Sequence, residues 1–406
     1  MSLSLRSHWV STPSTAWMPV WLPAWMPAWF GAWFGAWLAA LSAAGLLVWA
    51  RPAWAVDPPK AARAEPQGEL TARSEAMQRA RQAVLGVRTQ AVDQARSART
   101  LGRDRQGSGV LISPDGLVLT IAYLLLEADQ VTLLHEDGRS VPARVIGHDL
   151  ASGLGLLQAL APLGLQPAPL GRPDQLASLD RLMVASAGPT AAVSVTELVA
   201  RRAFTGYWEY HIDDALFTTP PHIEHSGAGL FTAEGELVGI GSLVLADVDA
   251  PAGAVVARRP GNMFVPVNLL PAAPADLHLR GFGTQVQRAW LGLNCIEQAG
   301  QVRVLRVSDD SPAELAGLEA GDRILRIDGV AVQSLAALWQ GLWRGGVAER
   351  EVVLEIERGQ PSQTHTQTQT QTQTQTQTQT QTQTQTQTLK VYSVDRMKTL
   401  RRPEGI

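Results

Sequence analysis

The stretch GVLISPDGLVLTIAYLLL, Gly109 to Leu126, sets two apolar runs around Ser113-Pro114-Asp115-Gly116. Proline presets φ for a turn and glycine accepts a positive φ, so the pattern predicts a β-hairpin. VTLLHEDGRSVPARVIGHD, Val131 to Asp149, repeats the pattern around Asp137-Gly138. EHSGAGLFTAEGELVGIGSL, Glu224 to Leu243, places two more apolar strands around Ala233-Glu234-Gly235, with Ser226 beside glycine just ahead of them. Many short strands at this spacing predict a mainly β chain, a barrel or a sandwich, running to about Leu270.

A smaller unit follows a stretch rich in alanine and proline. Strands are expected at Trp290–Ile296 and Val302–Val307, then a short helix, a glycine-rich turn and a hairpin in SPAELAGLEAGDRILRIDGVAV. Ser334 is placed to cap a helix carrying Leu335, Leu338 and Leu342 on one face. Val352–Ile356 is a late strand. After it comes a Gln-Thr alternation ending at Thr388. Both phases of that alternation are polar, so neither face gains from burial, and it is expected to be an oversized loop. Its flanks, Val352–Arg358 and Leu389–Val394, read as the two arms of one hairpin.

Outside these units the chain is unusual at its start. Trp17, Trp21, Trp25, Trp29, Trp33 and Trp37 recur every four residues, and Trp29 to Ala50 holds neither proline nor charge. A run of that length spans a bilayer, while Ala53-Trp54-Ala55 offers a small-x-small cleavage site. Residues 1–55 are therefore a signal peptide or a membrane anchor, and either implies export to the periplasm. Residues 56–75 read as a linker. The formal net charge of −3 over 406 residues argues against a nucleic-acid surface. The basic run Arg96, Arg99, Arg103 and Arg105 lacks interleaved aromatics and reads as a solvated loop. Cys295 is the single cysteine, which excludes an intrachain disulfide, and its apolar surroundings predict a buried, inert thiol.

Four segments in one order, GSGVLISPDGLVLT (Gly107–Thr120), the Ser226 hairpin, FVPVNLL (Phe264–Leu270) and AGLEAGDRILRIDG (Ala316–Gly329), resemble the HtrA/Deg family. The resemblance implies a trypsin-like double β-barrel over 76–270, a linker at 271–283, and a PDZ domain over 284–398. The last is a small β-sheet domain with two helices, here with a Gln-Thr insertion at 363–388. It also implies a serine hydrolase triad between the barrels. In that pattern Tyr123 falls at the histidine position, Gly153 at the aspartate position, and Ser226 at the nucleophile. The oxyanion-hole donors would be the N–H groups of Ser226 and Glu224, where the family carries glycine at the latter.

Those departures matter chemically. A serine hydroxyl needs a base and an oxyanion hole. A phenol with a pKa of about 10 is a poor base near neutrality, and Gly153 can orient nothing. Ser226 therefore reads as a relic, and the expected function is that of an exported pseudoprotease binding peptide C-termini or unfolded polypeptides. Leu291-Gly292-Leu293 after Trp290 would hold a peptide carboxylate on backbone N–H groups, with Leu335 and Leu338 lining the side-chain pocket or simply filling the core. Alternatives remain open at this stage. Ser226 could work in an active endopeptidase with a non-standard base, for which His225, Asp149, His211, Asp213 and Asp214 are candidates. The chain could also be a structural subunit, a homo-trimer or a partner of an active relative. His222, Glu224 and His225 form a weak metal pattern, and no cofactor is expected.

Overall fold

The computed structural model describes residues 67–188, 192–249, 258–270, 287–359 and 384–401. The N-terminal apolar segment, the 271–283 linker and most of the Gln-Thr tract lie outside them. Helix α1 (Gln67–Gln82) opens the described chain. The sequence reading placed a linker up to residue 75, and the helix takes in its last nine residues. After Pro66 the segment QGELTARSEAMQRARQ contains no proline and is rich in good helix formers. Its small face, Ala76 and Ala80, is buried, and Ala83 follows it into the core.

Six strands then close a barrel in the order β1-β2-β3-β6-β5-β4. They are β1 (Val84–Ala91), β2 (Asp104–Leu111), β3 (Leu117–Ile121), β4 (Ala128–Leu134), β5 (Ser140–His148) and β6 (Leu154–Ala159). A short helix α2 (Ala98–Leu101) lies between β1 and β2. Both expected hairpins are present: β2 pairs antiparallel with β3 and β4 with β5. All five residues of β3 are buried, because one face fills the barrel and the other lies toward β11. Burial on both faces explains why LVLTI lacks polar alternation.

A second barrel closes in the order β10-β11-β12-β9-β8-β7. Its strands are β7 (Arg181–Ala185), β8 (Val193–Thr205), β9 (His211–Thr219), β10 (Gly229–Phe231), β11 (Leu237–Leu245) and β12 (Gly261–Pro266). Two six-stranded antiparallel barrels are the architecture that the resemblance implied.

The last domain contains β13 (Ala289–Trp290), β14 (Leu293–Gln298), β15 (Gln301–Val307), β16 (Arg323–Ile327), β17 (Val330–Ala331), β18 (Glu351–Gly359), β19 (Thr384–Tyr392) and β20 (Val394–Asp395). Its helices are α3 (Pro312–Leu315) and α4 (Leu335–Trp343). Ser334 caps α4 as expected, its hydroxyl accepting from the Ala337 N–H at 3.1 Å. Leu335, Leu338, Trp339 and Leu342 are buried against the sheet. β18 and β19 form the expected hairpin, but β19 begins inside the repeat, with Gly359 opposite Thr384 and Glu355 opposite Thr388. Ladder pairing uses backbone groups and needs no apolar face, so the last repeats join the sheet while remaining exposed.

Candidate functional site

Tyr123 sits on the 3₁₀ turn that follows β3. The turn is held from several sides. Thr89 Oγ1 donates to the Leu124 carbonyl at 2.7 Å. Arg105 Nη1 donates to the carbonyls of Tyr123 (2.9 Å) and Leu126 (2.7 Å). Arg105 is thus buried and structural, which corrects its assignment to a solvated loop. The carbonyls orphaned by the tight turn supply the partners it needs away from water. Its neighbours also have partners. Arg103 pairs with Asp93, while Arg96 and Arg99 reach Asp310 and Asp309 of the last domain.

The turn delivers Tyr123 to Ser226. The Tyr123 hydroxyl is hydrogen-bonded to Ser226 Oγ at 2.8 Å and donates to the Ser242 carbonyl, which can only accept, at 3.1 Å. Burial pushes this phenol up to about 12, against the opposing effect of the Ser226 bond. At pH 7 such a group is ionised in about one molecule in 10⁵. It holds its own proton and cannot take the serine's.

Gly153 lies directly behind. Its carbonyl accepts from the Ala122 N–H at 2.7 Å, tying it to the Tyr123 turn. Its φ is +85°, and a Cβ there would stand 3.0 Å from the Tyr210 hydroxyl. Tyr210 comes from the β8–β9 connection, is buried, and donates to the Ser152 carbonyl at 2.7 Å. The space that a side chain at Gly153 would enter is therefore taken by a tyrosine from the other barrel, a residue that motif reading did not single out.

The remaining candidates have other partners. Asp149 closes its own turn, accepting from the N–H groups of Ala151 (3.1 Å) and Ser152 (2.8 Å). His225 Nδ1 lies 2.8 Å from the Ile223 carbonyl, which can only accept, so that nitrogen carries the proton. Buried His222 lies between Ser186 and Ser194, 2.9 Å from each hydroxyl, and burial lowers its pKa. Glu224, expected at the second oxyanion-hole position, is exposed. Asp214 pairs with Arg201, and His211 bonds Thr205, Asp213 and Gln340. Among the described residues no group of three or more His, Cys, Asp and Glu side chains converges as a metal site.

The second site is the loop before β14. The N–H groups of Leu291, Gly292 and Leu293 converge on one point, as a carboxylate receptor requires. Gly292 has a φ of +89°, and a Cβ there would collide with Ser311 at 2.3 Å. Leu335 and Leu338 lie in the domain's apolar core. Trp290 is buried, with the Arg396 guanidinium 4.4 Å from its ring. Cys295 is fully buried, and burial pushes its thiol up, consistent with an inert group.

Comparison with known proteins bears on both sites. Residues 107–240 match the trypsin-like peptidase domain family and residues 289–368 the PDZ domain family. The chain is an HtrA/DegP homologue. A "probable periplasmic serine endoprotease DegP-like" of Ectopseudomonas mendocina is 28% identical over 281 residues, 63% of this chain and 56% of the relative. The protein of the same description from Pseudomonas fluorescens is 27% identical over 286 residues, 66% of this chain and 56% of the relative. The HtrA homologue thus spans about half the length of the curated relatives it matches. Among solved structures, the HtrA-type protease AlgW with tripeptide is 21% identical, with 82% of this chain and 98% of that chain covered and a TM-score of 0.44.

Proposed function

We propose that this HtrA homologue is an exported pseudoprotease that binds polypeptide rather than cleaving it, with chain ends as the ligands of its PDZ domain. One observation carries this reading: the group hydrogen-bonded to Ser226 is the phenol of Tyr123, whose pKa burial raises further. Loss of the base in a serine triad can cost on the order of a millionfold in turnover. A Cβ at Gly153 would stand 3.0 Å from the Tyr210 hydroxyl, so an aspartate at that position would be crowded. Export is supported by the N-terminal apolar run and by the periplasmic relatives. The test is labelling of the purified chain by a serine-reactive fluorophosphonate, together with turnover of an unfolded protein substrate. Neither is expected above the level of Ser226→Ala. Turnover that disappears in Ser226→Ala would overturn the reading and make the chain an endopeptidase.

A further inference from the structure

The carboxylate receptor before β14 already holds a carboxylate. Glu209 Oε1 accepts from all three N–H groups, those of Leu291 (3.0 Å), Gly292 (2.9 Å) and Leu293 (3.1 Å). Glu209 belongs to the peptidase part of the chain, in the connection between β8 and β9. Its neighbours continue along the groove. Trp208 bridges Asn294 antiparallel, and the Cys295 N–H donates to the Tyr207 carbonyl at 2.6 Å. Trp339 on α4 donates its indole N–H to the Gly206 carbonyl at 3.0 Å. Gly206 to Glu209 therefore runs antiparallel to β14 with α4 against it, and its carboxylate reaches the receptor loop. Strand addition with a terminal carboxylate in the loop is how such a groove holds a peptide end. Here the carboxylate is a side chain and the strand is internal.

We infer that Gly206–Glu209 is a built-in ligand of the PDZ groove, so that a peptide carboxylate enters only by displacing Glu209. This rests on the proposed peptide-binding reading of the groove and adds a competitor to it. The segment is also packed as a unit. The Trp208 and Tyr210 rings stack at 5.6 Å, and Tyr207 meets Trp208 edge-on at 4.8 Å. The residue after Glu209 is Tyr210, the one that fills the space at Gly153. Occupancy of the groove and the state of the old cleft are thereby carried by consecutive residues of one connection.

The experiment uses the full chain and a fluorescein-labelled decapeptide ending in Val-Val-Leu, with a free or an amidated end. Anisotropy titrations compare wild type with Glu209→Ala and Glu209→Gln. Removing the carboxylate in Glu209→Ala should tighten the free-acid peptide at least tenfold, with no gain for the amide. Glu209→Gln keeps an acceptor oxygen and should gain less. Amide hydrogen exchange over Leu291–Leu293 supplies a second readout. Without peptide these N–H groups should be slow in wild type and fast in Glu209→Ala, while exchange in the barrels is unchanged, which also checks folding. Equal, carboxylate-dependent affinity in all three proteins would overturn the internal ligand and leave peptide binding standing. Fast exchange over Leu291–Leu293 in wild type would overturn it as well. Failure of Glu209→Ala to distinguish the free acid from the amide would overturn the peptide-binding reading itself, and this inference with it.

Discussion

Gly153 and Tyr210 fill one space between them. A side chain at Gly153 meets both a left-handed φ, costing about 1–3 kcal/mol, and the Tyr210 hydroxyl. Gly153→Asp should lower the unfolding temperature by several degrees, at about 2–4 °C per kcal/mol for a domain of this size, read by circular dichroism. The same contact sets the terms for rebuilding a protease. Tyr123→His with Gly153→Asp and Glu224→Gly restores the pattern expected from the resemblance, yet Tyr210 still crowds a side chain at position 153. That triple variant should stay inactive on an unfolded substrate, and only a further change of Tyr210 to a smaller residue should yield turnover. Activity in the triple variant with Tyr210 intact would show that the space is not limiting. Tyr123, Gly153 and Ser226 were legible because they sit in local motifs of fixed spacing. Tyr210 was not, since its contact with Gly153 exists only once two barrels pack. One signal was available: two of the four tyrosines of the chain fall in GYWEYH, an aromatic density uncommon in a connection between strands.

The strands of both barrels were readable from turn chemistry, because Pro-Asp-Gly and Asp-Gly fix the hairpins locally. The elements that departed from expectation are those decided by packing or by backbone pairing. α1 extends back to Gln67 because its alanine face has a barrel to cover. β19 recruits Thr384–Thr388 because β18 offers unpaired backbone as far as Gly359. The repeat therefore has two parts with different consequences. Deleting 363–383 leaves Gly359 opposite Thr384 across Gln360-Pro361-Ser362, a loop of ordinary hairpin length. That variant should unfold at the wild-type temperature. Deleting 363–388 also removes the partners of Glu355–Gly359. It should unfold at a lower temperature and with less cooperativity. Identical melting of the two variants would mean that the repeat contributes nothing to the sheet.

At the scale of the whole described unit, the PDZ domain is held to the barrels by buried polar contacts as well as surface ion pairs. Arg96–Asp310 and Arg99–Asp309 are exposed and worth little. Glu127 accepts from the N–H groups of Arg401 (2.8 Å) and Ser97 (2.7 Å), and Glu209 accepts three N–H bonds in the receptor loop. Docking of Glu209 leaves a mark on its acidity. Burial pushes it up to about 7, although the three N–H groups and Arg396 oppose the rise. Released to solvent it returns toward the ordinary value of about 4.3. Between those values the docked form binds a proton that the released form lacks, so protons favour docking. A peptide that expels Glu209 must release that proton, but its own carboxylate, ionised in solution with a pKa of about 3.5, enters the same buried loop and is raised in turn. Peptide affinity in wild type should therefore stay nearly flat between pH of about 5 and about 7, whereas in Glu209→Ala, which has no proton to release, it should fall as pH rises, by up to tenfold per unit. The groups facing Glu209 do not titrate in that window. Arg396, after β20, stays cationic, and burial holds the thiol of Cys295 on β14 and the phenol of Tyr210 neutral. Glu127, which acts on Arg396, is raised by burial, but bonds from Ser97 and three backbone N–H groups outweigh this and keep it ionised. His211 begins β9 two residues further on and bonds Gln340 of α4. Titration of one peptide across the window, on wild type and on Glu209→Ala, checks this. A slope that appears only in Glu209→Ala belongs to the exchange of one carboxylate for the other. Equal slopes in the two proteins would show that the linkage through Glu209 is wrong.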